Sequence, residues 1–149
     1  MTERQLKYRA GMFLILAHVF VILLVIVLFF KSGFDAGQFT TLFGIIMPMF
    51  SGYTAAIIGF LIKDRYTMDD ATQWITGTFA FLFFLFPALF ALVIMAAIWA
   101  QAHNAVFRNF EEFKTFLMTL ESAFAIYIGL FVYSLFQKQS VARRQRRAP

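Results

Sequence analysis

The chain contains no cysteine. That absence excludes a disulfide, a thiolate metal centre, an iron–sulfur cluster and a cysteine nucleophile, and it leaves the redox compartment undetermined. Charge is scarce as well: Asp, Glu, Lys and Arg make up 14% of the 149 residues, well below the roughly 25% usual in soluble domains. A phosphate-cradling glycine loop, a metal-binding histidine pair and a serine elbow are also missing. No enzymatic activity, cofactor or metal is expected. Asp64, Asp69 and Asp70 stand close together, but Lys63, Arg65 and helix capping account for them.

Apolar surface is what the chain has in abundance. Hydrophobic residues reach 61%, with 22 Phe, and the mean hydropathy is +0.75. A single domain of this size could not hide that surface from water, whereas in a bilayer its exposure costs nothing. Four apolar runs, about 11–30, 41–62, 77–100 and 115–136, clear the roughly 18 to 20 residues needed to cross a hydrocarbon core of about 30 Å. The fold class expected is therefore all-α: an integral membrane four-helix bundle over residues 1–149, with antiparallel neighbouring helices and a basic tail at 137–149. The first run is too long for a signal-peptide core and no small-residue cleavage site follows it, so it reads as a retained helix.

Lys and Arg are distributed unevenly between the two sides. Ten of them, in the N-terminal tail, the loop between the second and third runs, and the C-terminal tail, fall on one side; Lys31, Arg108 and Lys114 fall on the other. The positive-inside bias places both termini in the cytoplasm, most simply in a bacterial inner membrane. Trp74 and Trp99 bracket the third run, 25 residues apart, which at 1.5 Å per residue is about 38 Å and suits the two interfacial belts. Thr67 with Asp70, and Asn109 with Glu112, are spaced as capping boxes ahead of the third and fourth helices. The second of these starts its helix outside the hydrocarbon, where Phe110, Phe113, Phe116 and Leu117 recur at helical spacing. A plain extension of the helix explains them better than a membrane-surface element.

Small residues mark where helices approach in lipid. On the second run Gly44, Pro48, Ser51, Gly52, Ala55, Ala56 and Gly59 share one side, leaving Phe50, Tyr53, Ile57, Phe60 and Leu61 for lipid. The fourth run groups Glu121, Ser122, Ala125 and Gly129 opposite Leu120, Phe124, Tyr127, Phe131 and Leu135, and the third gathers Gly77, Ala80, Pro87, Ala88 and Ala91. These faces are expected to form the bundle and to support a homo-oligomer. Pro48 and Pro87 remove helical hydrogen-bond donors and should bend their helices.

Polar residues inside the spans are few. Glu121 lies seven residues from Lys114, about 10 Å into the hydrocarbon, where ionisation is costly and a carboxyl is a functional candidate by default. Its alternative is a protonated carboxyl or interhelical glue to Ser51, Thr54 or another chain. His18, nine residues from Arg9, falls within roughly 5 to 10 Å of the same height, so the two are allowed to pair, although a neutral, singly bonded histidine is the plainer reading. Haem ligation by His18 and His103 fails because the second histidine belongs at the opposite interface. His103, Glu111 and Glu112 lack the spacing of a metal site and read as a solvated loop. Arg143, Arg144, Arg146 and Arg147 fix topology and suit anionic lipid headgroups or a cytoplasmic protein partner. Without interleaved aromatics they do not call for nucleic acid.

The function these features suggest is a non-enzymatic, self-associating scaffold or anchor subunit engaging a partner on the cytoplasmic side. An oligomeric ion or proton channel with Glu121 on its central path is the alternative. A membrane effector or sensor of a bacterial defence or toxin system is a third, resting on architecture alone.

Overall fold

Each apolar run becomes one helix in the computed structural model, which describes residues 2–64 and 76–146, and their side chains except at 3, 4, 60, 61, 63, 64, 79 and 131–146. The helices are α1 (Glu3–Phe30), α2 (Ala36–Asp64), α3 (Gly77–Ala102) and α4 (Phe110–Arg146). All four are long and apolar enough to cross a membrane. The predicted spans lie inside these helices, which run further at most ends because capping side chains carry the first turns into polar surroundings. α4, at 37 residues, is about 55 Å long and continues well into the basic tail.

Local chemistry fixes the ends. Thr2 caps α1, its hydroxyl accepting from the Gln5 N–H while the Gln5 side chain accepts from the Thr2 N–H, both at 3.3 Å. Asp35 and Gln38 make the same reciprocal pair ahead of α2, at 2.8 and 3.1 Å. At α4 the expected cap is present, with the Glu112 N–H donating to Asn109 Oδ1 at 2.8 Å. The Glu112 carboxylate, however, accepts from the Arg108 N–H rather than from Asn109. The Thr67 and Asp70 pair and Trp74 lie outside the described residues.

α1 and α3 end alike. Ser32 and Asn104 both adopt left-handed backbone, with φ of 59° and 52°. Gly33 N–H then reaches the Leu28 carbonyl and Ala105 N–H the Ala100 carbonyl, each at 2.9 Å, closing a Schellman motif on both helices.

α1 packs mainly on α2 and α3, and α4 on the same two helices. Three apolar clusters follow one another along α1. Leu6 and Ala10 meet Phe83 at its start; Leu14 then joins Tyr53, Ile57, Phe124 and Ile128; and Val21, Val25 and Leu28 join Leu42, Ile46, Ile94, Ile98, Phe113 and Leu117. Phe113 and Leu117 are thus core residues and Phe110 is partly buried, so the start of α4 is an extension of the bundle. Between the second and third clusters lies a polar level, His18 on α1 and Glu121 on α4.

The contact faces differ from those expected. On α2, Gly44, Ser51, Gly52, Ala55 and Gly59 are all exposed, and a Cβ added at any of the three glycines would meet nothing within 4 Å. Tyr53 and Ile57, assigned to lipid from the sequence, are buried instead. On α4, Ser122, Ala125 and Gly129 are exposed while Phe124 and Ile128 are buried. The reason is dispersion: large side chains filling the bundle centre gain more contact than small ones, and small residues help only where backbones touch. α3 conforms in part, with Pro87 and Ala91 buried and Gly77 exposed. A close approach between helices is at Gly11 on α1, where an added Cβ would stand 2.8 Å from Ile57 Cγ2.

Candidate intramembrane polar site

The polar level is set by helical spacing. On α1, His18 stands one turn beyond Leu14 and three residues before Val21, so it inherits their inward face. On α4, Glu121 falls likewise between Leu117 and Phe124. Both are enclosed, with 2% of His18 and 4% of Glu121 exposed. α2 contributes Tyr53 and Thr54 at the same level, and α3 contributes Phe90, which packs against Phe124 at a ring-centroid distance of 5.1 Å.

Aromatic rings enclose the imidazole. Phe50 lies 5.9 Å from it at 17° and Phe124 5.6 Å at 20°, both nearly parallel to the imidazole plane. Tyr53 meets it edge-on at 4.9 Å. His18 Nε2, the Tyr53 hydroxyl, Thr54 Oγ1 and both Glu121 carboxyl oxygens are buried without a hydrogen-bond partner. Such groups are rare because each forfeits its solvation. The nearest Lys or Arg along the helices are Arg9 and Lys114, nine and seven residues from His18 and Glu121.

Glu121 and His18 are both buried, while the other candidates lie elsewhere. Ser122 faces outward and its hydroxyl donates to the Met118 carbonyl at 2.8 Å, a local bond that removes it as a partner for Glu121. Thr54 stays close by in sequence and level but makes no bond to the carboxyl, so Glu121 does not act as glue in this chain. His103 caps α3 far from His18, stacked on Trp99 at 4.4 Å with Nδ1 2.8 Å from the Trp99 carbonyl. Among the described residues no three His, Asp or Glu side chains gather as a metal site. Arg143, Arg144 and Arg146 continue α4, their side chains lying with Arg147 outside the described residues.

Tyr53, Phe50 and Phe124 are the members that sequence reasoning left out. The available signal was register: Tyr53 and Ile57 are four apart, and a tyrosine deep in a span needs a place for its hydroxyl. Chemically, the site offers a carboxyl, an imidazole and a phenol with no fixed partners in an aromatic enclosure, groups able to hold and pass protons or to bind a small polar ligand. Comparison with protein-family models, with curated proteins and with solved structures found no match.

Proposed function

We propose that this chain is a non-enzymatic membrane scaffold that self-associates through the small-residue face of α2 and engages a protein partner on the cytoplasmic side. The observation that carries this reading is the exposure of Gly44, Ser51, Gly52, Ala55 and Gly59 along one side of a membrane-spanning helix. Among the described residues nothing covers that face, and in lipid a stripe of small residues gains by close approach of a second helix. Pro48, on the same exposed side, also removes the intrahelical donor for the Gly44 carbonyl. α4 likewise exposes Ser122, Ala125 and Gly129.

In this reading neighbouring helices are antiparallel, as the mixing of late α1 residues with early α2 and early α4 residues in one cluster favours. Both termini lie in the cytoplasm of a bacterial inner membrane, where the arginines following α4 hold anionic headgroups or an acidic partner. A channel in which Glu121 lines the oligomer axis draws less support, because Glu121 is enclosed by its own chain.

Single-molecule photobleaching in supported bilayers tests the proposal. Wild-type protein should appear as dimers or larger assemblies, and Ser51→Leu with Ala55→Leu should weaken association about tenfold, roughly 1.4 kcal/mol. A wild-type protein that stays monomeric at high density in the bilayer contradicts it.

A further inference from the structure

Residues 137–149 hold five Lys or Arg and no Asp or Glu, and most of that charge rides on a helix. α4 runs without interruption to Arg146. Between Gly129 and Arg146 it has neither proline nor glycine, the usual causes of a kink.

Level along the membrane normal follows from the contacts with α1. The rings of His18 and Phe124 are 5.6 Å apart, and Leu14, one turn before His18, clusters with Ile128, one turn after Phe124. With α1 and α4 running oppositely, as in the proposed scaffold on which this inference rests, Arg9 stands level with about Tyr133, each nine residues from that ring pair. Arg9 and Lys31 are 22 residues apart, about 33 Å at 1.5 Å per residue, and so bracket a hydrocarbon core of about 30 Å. Outside that core the headgroup layer is about 5 to 8 Å deep. Lys138, five residues past Tyr133, has its backbone about 8 Å out, within reach of the headgroups. Arg143 and Arg146, ten and thirteen residues past Tyr133, stand about 15 and 20 Å out, and a helix tilt of about 20° shortens this by only about 1 Å. They lie past the headgroups by about the Debye length at physiological salt, roughly 8 Å, or more.

The other segments on this side carry no acidic excess to neutralise them. Glu3 is accompanied by Arg4, Lys7 and Arg9, and Asp64, Asp69 and Asp70 by Lys63 and Arg65. We propose that Arg143, Arg144 and Arg146 dock an acidic surface of a soluble cytoplasmic protein, which α4 holds above the lipid. Guanidinium groups suit this task, each able to take a carboxylate through two parallel N–H···O bonds.

Fluorescence anisotropy of a labelled poly-glutamate peptide, titrated with the full-length protein in nanodiscs at about 0.15 M salt, tests the proposal. On phosphatidylcholine discs the wild type should bind the peptide at least about tenfold more tightly than a variant with Arg143→Gln, Arg144→Gln and Arg146→Gln. Replacing about a third of the lipid by phosphatidylglycerol should change the wild-type affinity by less than about threefold. Ser140→Pro bends the helix below the arginines and lets them reach the bilayer, so in that variant phosphatidylglycerol should weaken peptide binding about tenfold. Three results overturn the proposal. Equal binding by the triple variant would detach the arginines from the peptide; wild-type binding as sensitive to phosphatidylglycerol as that of Ser140→Pro would put them on lipid; and tighter binding of a single-stranded RNA of equal charge would make the partner a nucleic acid. The assay needs no oligomer, so a monomer that binds the peptide contradicts self-association alone, and an oligomer that ignores it contradicts this inference alone.

Discussion

The Tyr127 hydroxyl on α4 donates to the backbone carbonyl of Phe83 on α3, 3.4 Å away. Phe83 is four residues before Pro87, so its carbonyl is the one that loses its helical N–H to the proline ring. A bond between helices thus replaces a bond within one. Such repair is how membrane helices tolerate proline.

Tyr127→Phe should therefore destabilise the bundle by about 0.6 kcal/mol, typical of interhelical bonds in lipid. In a Pro87→Ala background, where residue 87 again offers an N–H, most of that loss should disappear. A double-mutant cycle of unfolding in mixed micelles measures the coupling, and an additive result would remove the link between the proline and the tyrosine.

Left-handed backbone at Ser32 and Asn104 is strained for a side-chain-bearing residue and free for glycine. Ser32→Gly should stabilise the protein by about 1 kcal/mol, and Asn104→Gly by less, because asparagine tolerates this region better. Thermal unfolding in detergent reads both, and Ser32→Val should move the midpoint the other way.

Gly11 and Gly52 make a matched pair. Gly11→Ala puts a methyl against Ile57 Cγ2, a β-branched group with little room to turn in a helix, and should destabilise by about 1–3 kcal/mol. Gly52→Ala meets nothing within 4 Å and should leave the stability of an isolated monomer unchanged or raise it slightly.

Glu121→Met removes two unpartnered buried oxygens and keeps the volume. Stability should rise by about 1–3 kcal/mol, since among the described residues no hydrogen bond reaches that carboxyl. A loss of stability instead would mean that Glu121 is a structural tie.

The number and type of helices were legible because length and hydropathy fix them: a run such as Gly11 to Phe30 has no other stable solution in lipid. The height match of His18 and Glu121 was legible for the same reason, rise per residue being constant. Facing was not. Small residues on α2 were read as the inward side, yet Tyr53 and Ile57 take it, because which stripe faces the bundle is decided by the volume that the other three helices leave to be filled. The close contact at Gly11 was missed since a lone glycine carries no pattern, and its partner Ile57 lies on another helix. The capping side chains Thr2 and Asp35 were visible in spacing with Gln5 and Gln38, but their apolar neighbours drew attention to the spans instead.

The claim at the centre of this account is that α2 turns its small-residue face out of the bundle toward a second copy. A chain without cysteine allows a direct reading: single cysteines placed from residue 44 to 59 and cross-linked in native membranes. Disulfide-linked dimers should peak at 44, 51, 52, 55 and 59 and fall to background at 46, 53 and 57. Cross-linking that is flat along α2, or that peaks at the buried positions, would contradict it.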